Sequence, residues 1–234
     1  MEAAAGAHLG KVGLFGGEVH TVKHKDIFAM VSPVEFKEIE TNLNNILVHQ
    51  QVVESSRGIG TTLPVKFGVI FKSEDGVKKL LEKSYTDYRS KLTMVKGKDE
   101  FGIKVILNDV ALKKIRTQVA EESSEIGKIK KDLSKAKSGT SYLLNIRMDE
   151  ALRNETYRKI DEMSHEIHER LAEASFKGVT LKSEHEQIIL NGAYLVDRPD
   201  TQKFQKEIEK TKEDFEKEGL VIHLSGPWAP YSFC

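Results

Sequence analysis

Apolar positions recur with two different periods along this chain. Phe101, Ile103, Val105 and Leu107 alternate with Gly102, Lys104, Ile106 and Asn108, the period of a strand. Leu220, Ile222 and Leu224 alternate in the same way with Val221, His223 and Ser225, until Gly226-Pro227 ends the run. Val179–Lys182 and Gln187–Val196 read as two further strands, joined by the polar Ser183-Glu184-His185-Glu186. Between the strands the period lengthens. Ala111, Leu112, Ile115 and Val119 follow a cap at Asn108 or Asp109. Ile160, Met163, Ile167, Leu171 and Ala174 stripe a long helix over about 140–175. Phe204, Ile208, Thr211 and Phe215 stripe a last helix opened by Pro199-Asp200 and closed by Gly219. Residues 121–139 are rich in Glu, Ser and Lys and sparse in apolar side chains, which predicts a mobile helical excursion.

The first hundred residues are less regular. Met1–Lys11 reads as a loose start, with short strands expected at Val12–Phe15, Glu18–Val22 and Ile27–Val31. Ser32 with Glu35 offers a capping box. Phe36, Ile39, Leu43, Ile46, Leu47 and Val53 then predict a helix over Glu35–Ser55, ended at Arg57-Gly58-Ile59-Gly60. Thr61–Phe71 is apolar but contains Pro64, so it is expected as an edge strand or extended segment. Val77, Leu80, Leu81, Tyr88 and Leu92 predict a helix over Glu74–Met94.

This order defines an α+β fold of two domains, divided at Lys96-Gly97-Lys98. Residues 1–96 form an N-terminal α+β domain. Residues 97–234 read strand, interrupted helix, strand, strand, helix, strand. That is the split βαβ, ferredoxin-like pattern: an antiparallel sheet with helices on one face and a charged helical insertion at about 120–140. The other sheet face needs a cover, from the aromatic tail or the N-terminal half.

Composition narrows the chemistry. Thirty-six basic and 36 acidic residues cancel, so no global field favours nucleic acid or an anionic surface. A single cysteine, Cys234, leaves no internal disulfide and fits a reducing compartment. His165 and His168 stand three apart, not the four of a zinc-protease helix, and His20 and His24 lack further ligands. Arg57-Gly58-Ile59-Gly60-Thr61-Thr62 lacks the Gly-Lys-Ser/Thr of a phosphate loop. No catalytic residue, metal or cofactor is expected. A ferredoxin-like nucleic-acid-binding domain is the alternative. It would need rings and cations on one open face, whereas Phe101 and Lys104 fall on opposite faces and no aromatic residue lies between Phe101 and Tyr142. The lysines of Lys113–Lys137 read as a solvated surface.

Separated motifs then point one way. Asn44–Glu54, with a central His49 and a closing Val53-Glu54, resembles a helix of the gas vesicle protein GvpL/GvpF family. Thr62-Leu63-Pro64-Val65-Lys66-Phe67-Gly68 resembles its Leu-Pro-x-Arg/Lys-Phe-Gly stretch. Gly97–Val105, Gly139–Leu143, Asn191–Val196 and Gly226-Pro227-Trp228-Ala229-Pro230-Tyr231-Ser232-Phe233 continue the likeness in order. The aromatic-rich first strand usual in that family is missing from this Ala- and Gly-rich start, so the N-terminal sheet is expected to be a strand short.

The resemblance implies a non-catalytic accessory or minor structural protein of the gas vesicle, a cytoplasmic organelle. Its implied partners are the hydrophobic shell protein GvpA and other gas vesicle accessory proteins, with no nucleic acid and no membrane. Its implied task is to bind GvpA, limit its aggregation and assist nucleation. The expected docking residues are Leu63, Pro64, Phe67 and Phe71 in the proline-marked stretch, and Trp228, Pro230, Tyr231 and Phe233 in the tail.

Overall fold

The computed structural model describes residues 9–183 and 185–234. The reading of Met1–His8 as a loose start lies outside the described residues, as does Glu184 of the predicted hairpin loop.

Strands β1 (His20–His24) and β2 (Ile27–Val31) pair antiparallel, with Val22 opposite Ala29 and His24 opposite Ile27. Lys25 and Asp26 are left as the turn, and Lys25 takes a positive φ of 51°. A clamp holds that conformation. The Tyr85 hydroxyl donates to Asp26 at 2.7 Å, Arg89 pairs with Asp26 at 3.0 Å, and Lys25 lies over the Tyr85 ring at 4.3 Å. Val22 and Ile27 bury against Val77 and Leu81. The expected strand at Val12–Phe15 is instead a 3-10 turn, Leu14–Gly16, preceded by an isolated bridge between Gly10 and Val19. Three glycines, Gly13, Gly16 and Gly17, bend the chain too sharply there for a ladder.

The predicted first helix starts later than expected. Helix α1 spans Leu43–Ile59, not Glu35–Ser55. Asn42 wins over Ser32 as its cap: the Asn42 side chain accepts from the Asn45 amide at 2.9 Å, and Asn45 donates back to the Glu40 carbonyl at 2.9 Å. Residues 61–66 follow as extended chain without a strand partner, as Pro64 requires. The next predicted helix is two, α2 (Glu74–Lys83) and α3 (Tyr85–Val95), hinged at Ser84.

Strand β3 (Lys98–Leu107) leads into α4 (Asp109–Glu122), capped by Asn108, then α5 (Ser124–Leu133) and the 36-residue α6 (Ser138–Glu173). Strands β4 (Lys177–Thr180) and β5 (Ile188–Asp197), helix α7 (Thr201–Glu216) and β6 (Leu220–Trp228) complete the chain. The sheet order is β4-β5-β3-β6. Each helical crossover therefore skips one strand, the split βαβ arrangement read from the sequence. Phe101, Ile103, Val105, Tyr194, Val196, Leu220 and Ile222 share one core with Ile115, Ile167, Leu171, Phe204 and Ile208 from the helices. Residues 121–139 are not a loose excursion. Ile126 and Ile129 of α5 are 0% and 2% exposed, so two isoleucines one turn apart pin that charged helix to the core.

Two compact units result: Met1–Glu100 with Pro227–Cys234, and Phe101–Gly226. These bounds differ from the expected 1–96 and 97–234. The tail returns to the first unit because its partners, Glu54 and Glu100, lie there.

Candidate partner-binding surface

Among the described residues no group of His, Cys, Asp or Glu is placed to hold a metal ion, and no helix is long and apolar enough to cross a membrane. Two of the four histidines singled out have other partners: His168 contacts the Tyr194 hydroxyl at 3.0 Å, and His20 pairs with Glu74 at 2.8 Å. Arg57 of the glycine-rich stretch is bound by Glu54 and Asp99. Phe101, the ring an RNA-binding sheet would need outside, is 1% exposed.

What the first unit does expose is the apolar stripe of α1. This helix buries Asn45, Val53 and Ser56. Leu43, Ile46 and Leu47 are 73%, 39% and 52% exposed. Phe36 is solvent-facing too, with Lys72 over its ring at 5.5 Å. Phe15 stands out more sharply. It sits on the 3-10 turn that packs against α1, largely exposed, with φ 56° and ψ 27°. An aromatic residue in the left-handed region carries a strain cost, and such outliers cluster at binding sites.

Helix α1 also organises both stretches singled out from the sequence. Its His49 donates to the Val65 carbonyl at 2.9 Å and meets the Phe67 ring edge-on at 5.7 Å. This lays the proline-marked segment along the helix. Pro64 is buried, Leu63 and Phe67 are half-buried, and Val65, Val69 and Phe71 stay exposed. The Phe71 ring approaches α2 where Gly76 leaves room; a Cβ there would lie 3.2 Å from the ring.

The tail is tied to the same helix further along. Glu54 accepts the Ala229 amide at 3.3 Å, and Glu100 accepts both the amide and the hydroxyl of Ser232 at 2.8 Å. Positions 43, 47, 50 and 54 share one helix face, and a rise of 1.5 Å per residue separates Leu47 from Glu54 by about 10 Å. Tail and exposed stripe therefore occupy two ends of one surface. Within the tail, Ala229, Pro230 and Phe233 are buried, while Trp228 and Tyr231 are 40% and 41% exposed. The Cys234 thiol donates to the Pro230 carbonyl, and desolvation pushes it up to about 12, so it is inert at neutral pH.

The Glu100 carboxyl is raised above its ordinary value, by burial first, with the two Ser232 donors pulling the other way. A raised acid binds its proton more tightly in the folded state. Its ionisation therefore opposes folding at neutral pH, and that cost fades as pH falls through the raised value toward the unfolded one. We expect Glu100→Gln to remove this slope. The difference in melting temperature between parent and variant, measured from pH 7.5 down to 4.5, should shift in the parent's favour as pH falls. A constant difference would refute it.

The whole chain, residues 1–234, matches the family described as Gas vesicle synthesis protein GvpL/GvpF. The chain belongs to the GvpL/GvpF family. Gas vesicle protein L of Streptomyces sp. (strain CB03234) is 24% identical, over 97% of this chain and 86% of that protein. Gas vesicle protein F of Haloferax mediterranei is 26% identical, over 94% of this chain and 84% of that protein. The crystal structure of GvpF from Anabaena sp. PCC7120 superposes with a TM-score of 0.78 at 21% identity, covering 97% of this chain and 91% of that one. GvpF from Microcystis aeruginosa gives 0.72 at 19%, with the same coverage. At these identities the structural likeness establishes the fold, α+β with antiparallel sheets, and the family match establishes a role in gas vesicle formation. Sequence reasoning had passed over Phe15 of this GvpL/GvpF chain as a binding residue. The three glycines crowded around Phe15 were the one available signal.

Proposed function

We propose that this GvpL/GvpF protein is a non-catalytic accessory factor that binds the hydrophobic shell protein GvpA, limits its aggregation and assists nucleation of the vesicle in the cytoplasm. The observation that carries this reading is the exposed stripe Leu43, Ile46 and Leu47 on a helix that also anchors the extended segment and the tail. Each of these side chains would gain about 1–2 kcal/mol on full burial, so leaving them together in water is favourable only if a partner covers them. Phe71, Trp228 and Tyr231 extend the apolar surface. Pro64, Pro230 and Phe233 are buried, and Leu63 and Phe67 half-buried, in the same two segments. A charge-balanced exterior of 36 basic and 36 acidic residues keeps such a carrier dispersed while it holds an apolar cargo.

The test is co-expression of the tagged chain with untagged GvpA. GvpA retained in the soluble fraction through a high-salt wash is the expected result, since an apolar contact is not screened. GvpA that pellets whether or not the chain is present would exclude direct capture.

A further inference from the structure

The second unit carries an exposed apolar cluster of its own, at the start of α6. Downstream, this helix buries one face through Ala151, Ile160, Met163 and Ile167, and Leu144, Met148 and Leu152 pack partly against the same core. The first turns also carry Tyr142, Leu143 and Ile146, which are 69%, 66% and 42% exposed. These positions cannot point toward Leu144 and Met148; they form a second apolar face on the same few turns. A helix apolar on two faces has two partners, and the core supplies one of them.

The surroundings of that cluster say what the other is. Residues 126–147 hold five lysines and Arg147 against one acid, Asp132, a net charge of +5 in a chain whose total is zero, and the acids Glu125, Asp149 and Glu150 lie just outside that stretch, so the cations are concentrated on the α5 side of the cluster. Lys131 closes α5, and Lys135 and Lys137 sit in the turn into α6, so these cations border the apolar face within two helical turns. Among the described residues none of the three enters an ion pair, although Arg pairs with Glu along α6 and Lys with Glu along α7. The stability of the fold does not require their charges, and their concentration beside Tyr142 and Leu143 selects for a negative counterpart.

We propose that the start of α6 docks an acidic amphipathic helix of a partner protein, its apolar side on Tyr142, Leu143 and Ile146 and its carboxylates on Lys131, Lys135 and Lys137. Anchors at i, i+1 and i+4 on a rigid helix are the geometry of helix-on-helix packing. A nucleic acid would leave Leu143 and Ile146 facing phosphate and would find one stackable ring. This surface belongs to the second unit and is independent of the α1 stripe proposed for the shell protein.

The test uses the full chain and two labelled peptides of about 20 residues, long enough to hold a helix. One has leucines at helical spacing on a glutamate background; the other is identical with lysine for glutamate. Fluorescence anisotropy at low salt should show saturable binding of the acidic peptide and none of the basic one. The affinity should fall by about tenfold or more in Leu143→Ser/Ile146→Ser and, separately, in Lys131→Glu/Lys135→Glu/Lys137→Glu. All five positions lie on the surface, and the lysine variant tests the idea even if the apolar one folds poorly. No binding, equal binding of both peptides, or binding unchanged in both variants overturns the proposal. So does a preference, lost in the same two variants, for phosphatidylserine vesicles, for a single-stranded oligonucleotide, or for a second copy of the chain. GvpA retention should be the same in the lysine variant as in the parent, so failure here and failure of the shell-protein reading are read separately.

Discussion

Replacing Leu43, Ile46 and Leu47 together with serine should abolish retention of GvpA while leaving the fold in place. The three side chains make the largest coherent apolar surface on α1, and their loss removes about 1–2 kcal/mol of available burial at each position. If the three contribute independently, affinity drops by more than a hundredfold, enough to empty a pull-down. Stability should barely move, because substitutions at exposed positions cost about 0.5 kcal/mol or less. Serine lowers helix propensity slightly, so an alanine version serves as a control for helicity. Retention of GvpA undiminished in the serine variant, with a melting curve like the parent's, would remove α1 from the binding surface. A collapsed melting curve would show instead that these residues are structural.

Phe233→Ala tests the other end of the surface. Phe233 is 6% exposed and lies beyond the Ser232–Glu100 and Ala229–Glu54 bonds. Deleting a buried ring of this kind costs about 3–5 kcal/mol, the lost transfer energy plus the cavity. The first unit should lose much of its stability, seen as faster amide exchange at Ala229 and Ser232 and easier proteolysis of the tail. Trp228→Ala should cost about 1 kcal/mol or less, because its ring is already partly in water. The contrast separates two roles within a few residues: Phe233 as a plug, Trp228 as part of a contact surface. Equal effects on stability would deny the division.

The second unit was legible because its elements answer to one core. In β3, Phe101, Ile103, Val105 and Leu107 all face the helices, so alternation and burial coincide, and the split βαβ order followed from element succession alone. Helix α1 broke that link. Its apolar spacing is helical, as read, but spacing reports only that side chains share a face. It does not report what covers that face. Burial instead falls on Val53, a member of that stripe, and on Asn45 and Ser56, whose polarity hides them from a hydrophobic pattern. Helix α5 failed in the opposite sense, since two isoleucines in a lysine-rich run look too few to fix a helix, yet both are fully enclosed. The tail's return to the first unit left no trace at all. Nothing in the sequence around Glu54 and Glu100 announces that they accept backbone amides from residues more than a hundred positions away.

The discontinuity of the first unit bears on how the chain matures at the ribosome. Phe101–Gly226 is contiguous and can close as soon as it emerges, whereas the first unit waits for Pro227–Cys234. Until then Glu100 has no serine to bind and Glu54 no tail amide. A prematurely released polypeptide would present a finished second unit beside an incomplete first one, with the α1 surface lacking Trp228 and Tyr231. Completion of the first unit, and with it of the surface proposed above for the shell protein, therefore waits on synthesis of Pro227–Cys234.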